Sequence, residues 1–261
     1  MSAPPRFNVL GVGVHALSLD EARDRLVALR GRKRCGYVCC ATAYNANLAR
    51  RDLALRAAYN AALLTTPDGM PLVWLGRRHG HRTITRVYGP DLLLAVCDAG
   101  RAVGLRHFFY GGAPGVAEQL STALTARFPG LAVVGTFTPP FRELTADEFV
   151  ALQNQISTAQ PDVIWVGLST PKQEKFMAAN WARLDAAVMV GVGAAFDFHS
   201  GRVAQAPRWM QRSGLEWLHR LVTEPRRLWR RYLVHNPAFV LRTLAQLTGL
   251  RRYPPEDARD R

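Results

Sequence analysis

The chain has 261 residues, 48% of them hydrophobic and 21% charged, and a formal net charge of +14. This length excludes a small stapled module and allows one large domain with or without an appendage. The excess of positive charge points to an anionic partner: nucleic acid, a phosphorylated substrate or an acidic membrane surface.

The N-terminal "MSAPPRFNVLGV" has no apolar core of signal-peptide length. Nowhere does an uncharged apolar run reach the roughly 18 residues that cross a bilayer, so membrane contact is expected to be peripheral. Strands are predicted at 7–12, 35–41, 61–65, 84–88, 105–110, 131–136, 162–167 and 186–192. Helices are predicted at 18–30, 45–59, 90–101, 114–128, 145–158 and 171–184. Ser18, with Glu21 three residues on, has the pattern of a capping box, and Pro114 and Pro171 suit first-turn positions. Strand-then-helix alternation predicts an α/β fold, an open parallel sheet with helices on both faces, whose ligands gather at the carboxyl ends of the strands.

From Gly201 onward the texture changes. Residues 202–261 carry 13 arginines and five acids, and residues 226–252 carry seven arginines and no acid. Trp217, Leu218, Leu221, Leu228, Trp229, Tyr232 and Leu233 lie among them. Helices are predicted near 214–223, 225–235 and 238–248, forming a basic amphipathic appendage. The chain therefore divides into 1–201, an appendage at 202–250 and a frayed tail at 251–261.

Several motifs are weak when taken singly. "GVGVHA" at 11–16 matches the dinucleotide pattern G-x-G-x-x-A, but the next strand ends "CCATAYN" without the acid that would hold a ribose. There is no Walker motif and no D-x-D pair. Cys35, Cys39, Cys40 and Cys97 lack zinc-ligand spacing and read as reduced, buried thiols of a cytoplasmic protein. "GGAPGVAEQL" at 111–120 is either a tight strand–helix turn or an anion-binding one. Asp68 in "LLTTPDGMPLVW" is placed either to cap a helix or to act as a general base beside the permissive Gly69. His15, His79, His81 and His199 read as surface or satisfied loop histidines.

The stretches "TTPDGMPLVW", "RVYGPDLL", "FFYGGAPGVAE", "PDVIWVGLSTPKQEKFM" and "GVGAAFDFHSGRVAQAPRWMQRSGLEWLHRLVTEPRRLWRRYL" follow one another in this order. Together they resemble the WecG/TagA/CpsF glycosyltransferases, glycosyltransferase family 26, over residues 8–240. One departure is "ATAYNANL" at 41–48, where Tyr44 stands in place of the family's usual proline. The resemblance implies a Rossmann-like domain with a membrane-touching helical appendage, in a cytoplasmic enzyme of cell-surface polysaccharide synthesis, peripheral on the inner membrane. It implies inverting transfer of a sugar (N-acetylmannosamine, its uronic acid or glucose) from a UDP-sugar to an undecaprenyl-diphosphate-linked saccharide, with no required metal or other cofactor. It nominates Asp68 as the base and assigns Thr42 and Asn45 to substrate hydroxyls. The "STPKQE" loop becomes a ligand loop, with Gln173 for sugar hydroxyls and Lys172 either for phosphate or as a solvated surface lysine. Gly193 and Asp197 are expected near the nucleotide, and Gly69, Gly111 and Gly112 to approach substrate by backbone. Without a metal the diphosphate must meet cations, and Arg220, Arg227 and Arg231 are the candidates, although they do not all share one helical face and lipid head groups are the alternative partner for at least one of them. A homo-oligomer is compatible with this reading. The rivals are a nucleic-acid-binding protein, for which no recognisable module is present, and a membrane adaptor with an inactive enzyme fold, against which Asp68 and Gln173 speak.

Overall fold

The computed structural model describes residues 2–255, apart from the side chain of Arg227. The chain opens with a hairpin, β1 (Arg6–Val9) and β2 (Val12–His15), paired antiparallel as a separate two-stranded sheet. Its turn places Leu10 at φ 53° and Gly11 at φ 92°, the geometry of a two-residue hairpin turn. The expected strand 7–12 is therefore two strands. The G-x-G-x-x-A pattern lies in this hairpin, not in a strand-to-helix phosphate turn. After α1 (Leu19–Val27), which starts with the Ser18–Glu21 capping box, β3 (Gly36–Ala41) enters the main sheet.

The predicted helix 45–59 is two helices, α2 (Ala43–Ala49) and α3 (Leu53–Ala61). The break falls where the Asp52 carboxylate accepts the Leu55 N–H and caps the second. Next come β4 (Leu64–Pro67), α4 (Met70–Arg78), α5 (Gly89–Gly100), β5 (Arg106–Gly111), α6 (Val116–Arg127), β6 (Ala132–Phe137) and α7 (Ala146–Ala159). They are followed by β7 (Val163–Gly167), α8 (Lys172–Asn180) and β8 (Val188–Gly191). The expected strand 84–88 belongs to no sheet. Ile84 and Val87 are buried as a strand's would be, but the segment crosses the strand ends and ties in through the Val87 N–H to the Pro67 carbonyl at 2.9 Å.

The six strands run in the order β4-β3-β8-β7-β5-β6, all parallel. Alternate residues feed two cores. Tyr37, Cys39, Phe108, Tyr110, Ile164 and Val166 face one cluster, and Val38, Phe109, Val163, Trp165, Val188 and Val190 face the other. Burial on both faces explains why these strands read as continuous apolar runs. Cys39, Cys40 and Cys97 are buried and all four cysteines are free thiols.

The remaining helices are α9 (Ala195–His199), α10 (Arg208–Arg212), α11 (Glu216–Thr223), α12 (Pro225–Trp229) and α13 (His235–Leu247), with a π-helical turn at Arg230–Val234 joining the last two. The end of this segment is docked firmly. Phe239 and Tyr253 belong to the first core cluster. Gln246 accepts the Leu10 N–H at 2.9 Å and donates to the Asn8 carbonyl at 3.0 Å, and Arg242 donates to the Asn47 side chain. Residues 251–255 are thus held: the Tyr253 carbonyl accepts Asn8 Nδ2 at 2.6 Å. A tail beginning at 251 is not what the structure has, and the rest of that predicted tail, 256–261, lies outside the described residues.

Candidate active site

The carboxyl ends of β3, β4, β7 and β8 open into one cleft of about 2580 Å³, lined among others by Thr42, Asp68, Lys172, Gln173, Arg220 and Arg231. Small-molecule sites span roughly 300–1,000 Å³, so this volume suits two substrates together.

Asp68 follows the last residue of β4, and its N–H is held by the Ala41 carbonyl of β3 at 2.9 Å. Its side chain is only 13% exposed. One carboxylate oxygen, Oδ2, accepts the Gly89 N–H at 3.0 Å; the other, Oδ1, lies 3.8 Å from the Arg86 guanidinium. Burial dominates and lifts the carboxyl to about 6, against the pull of Arg86, the Gly89 N–H and Arg231 and with a further push from Glu216. A carboxylate titrating near neutrality at a strand end is suited to taking a proton from a bound hydroxyl.

Around it the structure assembles groups that sequence spacing did not single out. Arg86 donates through Nε to the Asp68 carbonyl at 2.5 Å and ion-pairs with Glu216 of α11 at 2.6 Å. The Tyr88 hydroxyl donates to the other Glu216 oxygen at 2.7 Å, and the guanidinium of Arg86 lies 3.9 Å from the Tyr88 ring centre. These partners are up to 130 residues apart in the chain, and no local pattern could have joined them. Beneath the cleft floor, the Tyr59 hydroxyl accepts from Asn45 Nδ2 at 2.8 Å and donates to Glu174 Oε1 at 3.0 Å, with Thr170 donating to the same oxygen at 2.9 Å. Burial pushes the fully enclosed Glu174 carboxyl up.

The predicted residues divide into those that face the cleft freely and those whose polar groups are already engaged. Thr42 lines the cleft while its hydroxyl caps α2 through the Asn45 N–H at 3.2 Å. Gln173 is buried, and its carbonyl oxygen accepts the Gly193 N–H at 2.9 Å, fixing the β8 loop. The Gly112 N–H goes to the Gly167 carbonyl at 3.0 Å. Gly111 packs so closely on Gly167 that a Cβ would sit 2.6 Å from its carbonyl oxygen, a role in strand packing. Gly69 lines the cleft at the N-cap of α4, and Asp197 lines it from α9. Lys172 lies exposed at its rim.

From the appendage, Arg220 and Arg231 reach the opposite wall. Arg220 pairs at 3.8 Å with Glu224, and Arg231 lies 4.5 Å from the ring centre of Tyr44. Tyr44, the residue that replaces the expected proline, thus forms a cation–π seat for that arginine. Arg227 belongs to α12, with its side chain outside the described residues.

A buried carboxylate of raised pKa facing a cationic wall across a wide cleft suits a group-transfer enzyme whose leaving group is anionic. Residues 7–253 match the model of the glycosyl transferase WecG/TagA/CpsF family, and the chain belongs to that family of glycosyltransferases. An N-acetylglucosaminyldiphosphoundecaprenol N-acetyl-beta-D-mannosaminyltransferase of Bacillus subtilis (strain 168) is 29% identical over 194 residues, 74% of this chain and 73% of that one. A protein of the same name from Bacillus spizizenii (strain ATCC 23059 / NRRL B-14472 / W23) is 32% identical over 177 residues, 68% of this chain and 66% of that one.

Proposed function

We propose that this glycosyltransferase moves an N-acetylmannosamine-type sugar from a UDP-sugar to a saccharide carried on a polyprenyl diphosphate, with inversion and without a metal. The Bacillus relatives' names support the acceptor class and the sugar. In the single displacement, the acceptor hydroxyl oxygen bonds to the anomeric carbon as the bond from that carbon to the diphosphate oxygen breaks. Asp68 takes the hydroxyl proton, and UDP leaves with the bonding electron pair. Arg220 and Arg231 meet the charge that develops on the diphosphate, the part a divalent cation plays elsewhere. Among the described residues no three metal-ligating side chains converge.

The surface beside the cleft supports access to a lipid-borne acceptor. Leu218 and Val222 of α11 and Leu233 of the π-helical turn are exposed on the elements that carry the two arginines, and Trp229 of α12 and Leu241 and Leu244 of α13 are exposed on the helices next to them in the chain. A face of this kind, rich in arginine, suits the interface of an anionic membrane. Among the described residues no helix is long and apolar enough to cross a membrane.

The observation that carries the proposal is the buried Asp68 carboxylate, raised to about 6 at the cleft. Asp68→Asn keeps the size and the acceptor for the Gly89 N–H but cannot take a proton. Turnover of a UDP-sugar with a lipid-diphosphate acceptor should fall by about 10²–10⁴ with an unchanged thermal melt. Near wild-type turnover would reduce Asp68 to a structural carboxylate.

A further inference from the structure

Asp68 and Glu216 flank a single guanidinium, and they share it unequally. The Arg86 terminal nitrogen is 2.6 Å from Glu216 and 3.8 Å from Asp68 Oδ1. All three side chains are withdrawn from solvent, at 16% exposure for Arg86, 13% for Asp68 and 14% for Glu216. Glu216 is itself held on both oxygens, by Arg86 on one and by the Tyr88 hydroxyl on the other. Among the described residues Asp68 accepts one side-chain hydrogen bond, from the Gly89 N–H on Oδ2. Oδ1 therefore stays open toward the cleft although a guanidinium is within reach.

We infer that Glu216 is a positioning residue which holds Arg86 away from Asp68 and so keeps the base unmasked. The inference rests on the reading of Asp68 as the base. Arg86 is anchored through its Nε to the Asp68 carbonyl at 2.5 Å, so its terminal nitrogen has a short swing between the two carboxylates. With Glu216 uncharged, a buried guanidinium pairs with the carboxylate that remains charged. A bidentate or close Arg–Asp pair would occupy Oδ1 and lower its basicity. Because Glu216 belongs to α11, the base is competent only while the C-terminal helices are docked on the sheet. This ties the catalytic strand end to the part of the chain that carries Arg220 and Arg231.

The charged and titratable groups that act on Asp68 are Arg86, Glu216 and Arg231, and it in turn acts on Cys40 and Tyr88. Cys40 and Tyr88 are pushed up by burial and stay neutral through the working range. Of the three charged groups, only Glu216 favours the protonated form of Asp68. Removing its charge must move the Asp68 titration downward in pH, both directly and through the released Arg86.

The test is the pH dependence of kcat/KM for the full chain carrying Glu216→Gln, which keeps shape and hydrogen-bonding capacity while removing the charge. The expected result is a plateau roughly 10–100-fold lower, with an acid limb displaced downward by about one pH unit. Glu216→Asp keeps the charge one methylene short and should give a limb between the two. Should Glu216→Gln fail to melt cooperatively, the aspartate variant alone decides. An acid limb unmoved in the folded variant, with loss confined to thermal stability or KM, overturns the inference and leaves Glu216 as a structural tie. If Asp68→Asn is active, the base assignment itself fails; if Asp68→Asn is inactive and the Glu216 variants keep the wild-type profile, only the present inference does.

Discussion

The two walls of the cleft commit their polar groups differently. On the sheet wall, the Thr42 hydroxyl caps a helix, Gln173 pins the β8 loop and the Gly112 N–H is tied to Gly167. On the helical wall, Arg220 has a distant i,i+4 partner in Glu224 and lies 5.7 Å from the Phe198 ring centre, and Arg231 rests on the Tyr44 ring. The apolar residues differ in parallel: the side chains of inner strands β3, β7 and β8 are buried on both faces, while Leu241 and Leu244 of α13 are 68% and 53% exposed. One wall is a hydrogen-bonded scaffold that positions the Asp68 carboxylate. The other presents cations and exposed apolar surface, which the proposed function assigns to an anionic, lipid-borne substrate.

The sharpest way to break this comparison is to remove that cationic charge. Arg220→Ala with Arg231→Ala should lower turnover by about 10³, because loss of a single preorganised group stabilising transition-state charge typically costs roughly 10²–10³. The melt should change little, as among the described residues neither has an ion pair shorter than 3.8 Å and their ring contacts are cation–π pairs. Steady-state kinetics on the double variant check this, and an unchanged kcat would return the diphosphate charge to other groups.

The second region is not uniform, and α13 shows where the boundary runs. Phe239 is 4% exposed and sits in the core beneath the sheet. Phe239→Ala should cost about 3–5 kcal/mol, lowering Tm by roughly 6–20 °C in calorimetry. A shift of a degree or two would mean that α13 is only laid on the surface. On the same helix, Leu241→Ser with Leu244→Ser should leave Tm in place. Each leucine contributes on the order of 1 kcal/mol to burial in a membrane interface. Sedimentation with anionic vesicles should therefore weaken by roughly 10-fold or more. Unaltered sedimentation would remove this face from the membrane reading.

Much of the first wall was legible in sequence because parallel strands buried on both faces stand out as apolar runs, and the polar residues after them mark the strand ends. Asp68, Thr42 and Gln173 fell at those ends for that reason. The segment 84–88 misled because buried β-branched residues signal extended chain without saying whether it joins a sheet. The α2–α3 break was hidden because helical periodicity runs through it, and only Asp52 marks it. The pairing of Arg86 and Tyr88 with Glu216 left no local trace, since tertiary packing alone brings α11 onto the strand ends. Tyr44 showed itself only as a departure from the family pattern, and the structure gives it Arg231 as a partner.

The most direct measurement of the central claim is the pH profile of kcat/KM for the wild-type chain beside Asp68→Asn, with a UDP-sugar and a lipid-diphosphate acceptor. The account predicts an acid limb near about 6 in the wild type, reporting deprotonation of the base, and a low, flat profile without that limb in the variant. A limb that persists unchanged in Asp68→Asn would contradict it and place the base elsewhere in the cleft.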